Sequence, residues 1–353
     1  MIATTSQLEE LLPRIASFDQ VAIDTEADSL HCYREKLCLL QLSLPDSDHI
    51  VDPLAGLDLA PLARALAGKT IVLHGSDFDL RLLRRSFDFK AHRVFDTVIA
   101  ARLLGVREFS LAALVQRYFG IELTKGSQKA NWAQRPLPQR MTDYAINDTH
   151  YLLPMAAKLE AELKEAGRFE WFEQSCQRAL EQSLIDRTRD ADEAWRINGS
   201  GKLRGRAAAV LRELWKWRDA EAEAVDRPPF HILQNQELIK AAERFTAGEN
   251  PEYRHFSARR RQGFGEAAAR GLQSSEADWP VFHRRLGTRP TPEMLRRTDA
   301  LRQRRDEITA KLGLEPSFLA ARGALEAIAS EPASARELLA PWQRQLLDLD
   351  GED

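Results

Sequence analysis

Apolar and polar positions over the first 165 residues alternate as in a sheet wrapped by helices. Val21-Ala22-Ile23 begins a strand that ends in Asp24-Thr25-Glu26. Leu37-Cys38-Leu39-Leu40-Gln41-Leu42-Ser43 and His49-Ile50-Val51 predict two more strands, joined by a turn at Pro45-Asp46-Ser47. Thr70-Ile71-Val72-Leu73 is a short apolar run of the buried-strand kind. Helical spacing occupies the rest: an opening helix from Gln7 to Ser17, then Phe78 with Leu82 and Leu83, Val98 to Leu104, and Leu111 to Tyr118. Gln139 to Glu165 reads as one long helix. Three early strands followed by strand–helix alternation predict an α/β unit, a mixed sheet flanked by helices.

Beyond about residue 170 the strand pattern stops and the chain reads as all-α. Asn198-Gly199-Ser200-Gly201-Lys202-Leu203-Arg204-Gly205 is a Gly-rich connector. The helical remainder contains a candidate repeat at an offset of 87 residues. Leu214 matches Leu301, Arg218-Asp219 matches Arg305-Asp306, Pro229 matches Pro316, Leu238 matches Leu325, and Ala242 matches Ala329. Each copy is helix, Pro-containing loop, helix, and the second runs out sooner.

A length of 353 residues predicts two or three domains. With 44% hydrophobic and 29% charged residues, the composition is that of a soluble globular protein. Apolar runs fall far short of the ~20 residues of a membrane helix. Met1 to Ser6 shows no basic region followed by an apolar stretch, so no export signal is expected. Cys32, Cys38 and Cys176 lack zinc spacing and form an odd set, which suits a reducing cytoplasm. Formal net charge is only -3, but Arg259 to Arg305 carries 12 Arg against five acids. That stretch is a candidate nucleic-acid contact; its plainer reading is a solvated, Arg-rich surface.

The chemistry concentrates in acids. On a strand, Asp24 and Glu26 share one face, and no Lys or Arg lies among residues 21–30 to neutralise them. Such a pair either frays into solvent or holds a cation. His74-Gly75-Ser76-Asp77-Phe78-Asp79-Leu80 follows the strand at 70–73, where α/β folds often place functional side chains. Asp77 is the better placed to cap the helix and Asp79 to reach a site. Tyr144 and Asp148, at i and i+4, project from one helix face, an arrangement also met on ordinary surfaces. Lys125, Gln128, Lys129, Trp132 and Arg135 lie in a polar loop ahead of that helix. Four carboxylates and a phenol suit hard divalent cations such as Mg²⁺ or Mn²⁺. Two such ions about 3.5–4 Å apart can clamp the attacking and leaving oxygens of a phosphodiester. No His cluster, nucleophile elbow or phosphate-cradling Gly loop competes.

The order Asp24-x-Glu26, then Asp79, then Tyr144-x-x-x-Asp148 resembles the DEDD superfamily of 3′→5′ exonucleases in its tyrosine subclass. The histidine subclass would carry His five residues before the last Asp, where this chain has Asp143. More narrowly, the chain is similar to the ribonuclease D family. Three strings support this: Glu35-Lys36-Leu37-Cys38-Leu39-Leu40-Gln41, Trp132-Ala133-Gln134-Arg135-Pro136-Leu137, and Tyr144 through Leu153-Pro154. The helical repeat resembles the HRDC module. The resemblance implies a ribonuclease H-like exonuclease domain over 1–170, a helical linker over 171–202, an HRDC domain over 203–281 and a second, shorter copy over 290–349.

It further implies two divalent ions. Asp24, Glu26 and Asp148 would hold the ion that activates water, Asp24 would bridge to the second, and Asp79 would support it. Tyr144 would orient the water, since a phenol titrating near 10 is a poor base at neutral pH. His74, Lys125, Gln128, Lys129 and Arg135 become candidate substrate contacts, and Trp132 could stack a base or, more plainly, pack beside Pro136. The products would be nucleoside 5′-monophosphates. The substrate would be RNA with an accessible 3′ end, tRNA precursors above all, handled by a cytoplasmic monomer. A single-strand DNA exonuclease would use the same acids. A non-catalytic RNA-binding adaptor would have lost one of them, and none is lost.

Overall fold

The computed structural model describes residues 1–123, 126, 129–185, 191–281 and 290–350. They fall into two compact units. The first comprises Met1–Ala27, Lys36–Asp186 and Gly287–Asp353; the second comprises Asp28–Glu35 and Arg187–Leu286.

The first unit is built on a five-stranded sheet: β1 (Gln20–Ala27), β2 (Leu37–Leu44), β3 (Ser47–Val51), β4 (Thr70–Leu73) and β5 (Arg93–Asp96), in the order β3-β2-β1-β4-β5. β1 and β2 pair antiparallel, as do β2 and β3, while β1, β4 and β5 run parallel. The sheet is mixed, as the strand pattern predicts. β5 is the strand that periodicity missed, because four residues with two apolar positions give no period to read.

Helices α1 (Thr5–Ala16), α2 (Ala60–Leu66) and α3 (Asp77–Phe87) supply one buried layer. Leu8, Leu11 and Ile15 meet Val21, Ile23, Leu40 and Leu42 there. The opening helix begins two residues early, where Thr4 and Gln7 form a capping box. On the other face lie α4 (Thr97–Leu103), α5 (Leu111–Phe119), α6 (Gln139–His150), α7 (Leu152–Glu165) and α8 (Phe169–Leu184). The expected single helix over 139–165 is therefore two, broken at Tyr151. Pro154 explains the break: it has no N–H to give His150, and the interruption places it in a first turn, where none is needed. The expected linker from 171 is also corrected. Phe172 and Cys176 of α8 are core residues beside Phe95 and Ala101, so this helix belongs to the sheet's own packing.

The second unit holds α9 (Gly205–Ala224), α10 (Pro229–Ile232), α11 (Asn235–Thr246) and α12 (Ala258–Gln273). Leu211, Leu214, Leu238, Ala242, Phe245 and Phe264 form its core. Buried Arg218 donates from Nη1 to the Leu233 carbonyl at 2.9 Å.

The C-terminal helices α13 (Pro292–Leu312), α14 (Pro316–Leu319), α15 (Arg322–Ser330), α16 (Ala335–Leu338) and α17 (Pro341–Leu347) return to the first unit. Arg305 donates from Nη1 to the Ala320 carbonyl at 3.0 Å, the bond Arg218 makes 87 positions earlier. The local architecture thus repeats, but the packing does not. Leu314, Leu319, Leu325 and Trp342 share one core with Ala101, Leu114 and Met155. The expected second HRDC-like copy is fused to the sheet unit because its apolar face is spent there. Close backbone approach seals the junction: a Cβ on Gly105 would lie 2.6 Å from the Gly313 carbonyl oxygen.

The basic stretch from Arg259 to Arg305 is largely neutralised. Arg259 and Arg260 meet Glu221, and Arg270 meets Glu213. Arg297, Arg302, Arg304 and Arg305 meet Glu293, Asp299, Asp348 and Asp306. Four of these partners, Glu213, Glu221, Asp306 and Asp348, lie outside the counted window, which is why the sequence overstated its charge. Arg284, Arg285 and Arg289 lie outside the described residues.

Candidate active site

β1 pairs with β4 only from Gln20 to Ala22, whereas its pairing with β2 continues to Ala27. Its last residues therefore have an open edge. β4 stops at Leu73, the chain turns through Gly75 at φ +85°, and the start of α3 enters that space. Asp96 holds the turn: Oδ1 accepts from the Gly75 N–H at 3.1 Å and the Val98 N–H at 2.8 Å, and Oδ2 from the Ser76 N–H at 2.8 Å. One carboxylate thereby ties the start of α3 to that of α4. Sequence reading missed it, although an acid directly between a strand and a helix is the signal for such a cap.

The result is that Asp79 is buried and accepts a hydrogen bond from the Thr25 hydroxyl. Asp77 points away and pairs with Arg81, the i+4 residue of its own helix. Of the two neighbouring acids, Asp79 faces the end of β1. From the opposite side, α6 lies over β2 and β3 and brings Asp148 to the same place. Ligating oxygens of Asp24, Glu26 and Asp148 all lie within 4.8 Å of one another.

Electrostatics shows the strain of this arrangement. Burial pushes the Asp24 carboxyl well above its ordinary range, and Asp79, Asp148 and Glu26 add repulsion in that order. Burial, then Asp148 and Asp79, raises Glu26 to about 9. Asp148 rises to about 7 through burial and the nearby Asp79. Burial raises Asp79 to about 6, against the lowering effect of the Thr25 hydroxyl. Carboxylates gathered at such cost, all hard oxygen donors, fit a divalent cation.

Tyr144 sits one helical turn before Asp148, its ring 6.1 Å from that of Trp132. Trp132 is 1% exposed, packed with Leu39, Ile50, Met141 and Ala145. The plainer reading of Trp132 is the right one: a ring so enclosed cannot stack a substrate base. Arg135 is also corrected as a phosphate contact. Its Nε and Nη2 grip Asp52 at 2.7 and 2.6 Å, and the remaining donors serve the carbonyls of Cys38, Trp132 and Gln134 at 2.8 Å. It staples the loop to the sheet. His74 shares a hydrogen bond of 2.8 Å between Nδ1 and the Thr97 hydroxyl, and burial lowers its pKa. Lys129 is on the surface, while Lys125 and Gln128 lie outside the described residues.

Comparison with known proteins agrees with this geometry. A family model described as 3′-5′ exonuclease matches residues 1–164, and one described as HRDC domain matches residues 207–248. Ribonuclease D of Desulfotalea psychrophila is 28% identical over 90% of this chain and 87% of its own length. Ribonuclease D of Sphingobium indicum is 32% identical over 69% of this chain, which spans 63% of that relative. Among solved structures, Escherichia coli RNase D superposes with a TM-score of 0.75 at 24% identity, covering 100% of this chain and 99% of that one, and so shares the fold. Sequence likeness along nearly the whole length, a common architecture and converging acids together place the chain in the ribonuclease D family of 3′→5′ exoribonucleases.

Proposed function

We propose that this exoribonuclease trims the 3′ ends of structured RNA, tRNA precursors among them, releasing nucleoside 5′-monophosphates with the help of two divalent cations. The single observation that carries the metal reading is the approach of Asp24, Glu26 and Asp148 to within 4.8 Å of one another. Asp24, Glu26 and Asp148 would hold one cation, and Asp24 with Asp79 the second. Bound there, Mg²⁺ or Mn²⁺ would lower the pKa of water and neutralise charge on the phosphodiester. The chain's own residues do the rest. Thr25 holds the Asp79 carboxylate by a hydrogen bond, and α6 fixes Asp148 and Tyr144 in one rigid frame. The phenol of Tyr144, one turn from Asp148, would orient the attacking water. Among the described residues no helix is long and apolar enough to cross a membrane. The three free cysteines are buried, which fits a monomer working in the cytoplasm.

The test is digestion of a 3′-extended tRNA with Mg²⁺, Mn²⁺ or chelator, beside a DNA oligomer of matched sequence. Stepwise shortening to mononucleotides that chelator stops, with RNA preferred, is the expected result. Internal cuts, or full activity of Asp24→Asn, would overturn the assignment. Faster digestion of DNA would replace the substrate.

A further inference from the structure

Gln41 is 0% exposed, and neither its amide oxygen nor its amide nitrogen has a hydrogen-bond partner among the described residues. Buried amides are nearly always paired, so an orphan of this kind asks for a reason. Its position supplies one. On β2, Gln41 stands directly opposite Asp24 of β1 and directly opposite Ile50 of β3. Side chains opposite one another across an antiparallel pair lie on one face, with Cβ atoms about 4.5–5.5 Å apart. Leu39 and Ser43, two residues away on either side, share that face. Leu39 and Ile50 pack with Ala145 of α6, and the Ser43 hydroxyl meets that of Thr149 at 2.7 Å. The helix turn that covers Gln41 is therefore the one that carries Asp148.

The neighbours make plain packing a poor account. Leu39 and Ile50 are apolar, and a leucine or methionine at position 41 would fill the same space without burying an amide. The side chain directly opposite Gln41 on β1, and one that an amide N–H can serve, is the Asp24 carboxylate, with Glu26 its diagonal neighbour. We propose that Gln41 is a positioning residue for the metal site: its amide N–H donates to the Asp24 carboxylate across one water and fixes which oxygen is turned toward the cations. Groups that orient metal ligands in this way typically change metal affinity or activity 10–100-fold when removed. The inference rests on the metal reading of the Asp24 cluster.

The experiment uses the full chain, with Gln41→Leu and Gln41→Met beside wild type. Mn²⁺ binding is titrated without RNA by electron paramagnetic resonance, melting is followed in chelator, and kcat and KM are measured on one RNA. Expected are melting temperatures equal to or above wild type in chelator, Mn²⁺ affinity about 10–100-fold weaker, and a lower kcat at unchanged KM. Wild-type Mn²⁺ affinity in both variants would make Gln41 a packing residue and overturn the proposal. Loss of stability in chelator, or failure of both variants to fold, would assign it to the core with the same consequence. If wild type itself binds no Mn²⁺, the metal reading falls first and takes the proposal with it.

Discussion

At the level of single residues, the acidic cluster trades stability for chemistry. A carboxyl whose folded pKa is raised stabilises the fold only while protonated. That contribution is full below the unfolded value near 4 and is lost as pH rises through the folded value. With Asp79 near 6, Asp148 near 7 and Glu26 near 9, the loss extends across the range from about pH 4 to 9. Metal-free protein should therefore melt at progressively lower temperature as pH rises through this window, and saturating Mg²⁺ should flatten the curve. Asp148→Asn removes one charge from the cluster. Its melting temperature in chelator should exceed wild type at pH 8 while nuclease activity is lost, and differential scanning calorimetry beside a digestion assay reads both. Arg135 makes the opposite case, a residue kept for structure. Arg135→Lys forfeits the fork on Asp52 and should cost about 1–2 kcal/mol. The salt dependence of RNA binding should stay that of wild type, whereas a lost phosphate contact would reduce its slope. The acids were legible in the sequence because spacing on a strand or helix sets a shared face. The true partners of Arg135 and Trp132 were not, since Asp52 and Ile50 lie some 80 residues away along the chain.

At the level of elements, two kinds of signal separated cleanly. Runs of eight residues such as β1 and β2 announced themselves, while β5 needed its neighbour β4 to exist. The break at Tyr151 could have been read from Pro154, but unbroken apolar spacing on both sides concealed it. Two glycines at helix ends allow conformational strain to be told from close packing. Gly105 and Gly120 both sit near φ +75°, at 76° and 71°. A Cβ at Gly120 would meet nothing within 4 Å, whereas at Gly105 it would strike the Gly313 carbonyl oxygen. Gly120→Ala should cost about 1 kcal/mol, the strain of a side chain in the left-handed region. Gly105→Ala carries that strain and must also push the end of α13 away. Its loss in urea-unfolding free energy should be at least twice that of Gly120→Ala; equal losses would mean that α13 yields freely.

For the molecule as a whole, the sequence repeat describes what is shared between the two helical segments and conceals what differs. Both copies bury the matched pairs Leu238/Leu325 and Ala242/Ala329 and make the same arginine-to-carbonyl bond, yet only the first has a core of its own. The second puts Leu319, Leu325 and Trp342 against the helices of the sheet unit. A repeat read from sequence reports which positions are apolar and cannot report which partner covers them. The Trp342 ring stacks on Trp171 at 5.2 Å, and its indole N–H donates to the Ser175 hydroxyl at 2.9 Å. Trp342→Ala should therefore remove about 3–5 kcal/mol, and the location of the loss decides between two descriptions. If α13–α17 were a dispensable module, amides of β1 and β4 would keep wild-type hydrogen-exchange protection while those of α13 lost theirs. A shared core requires both sets to lose protection together, because one cooperative unit has one opening free energy. The expected outcome is the joint loss, with nuclease activity failing at the same lowered temperature, since the strand bearing Asp24 and Glu26 belongs to that unit.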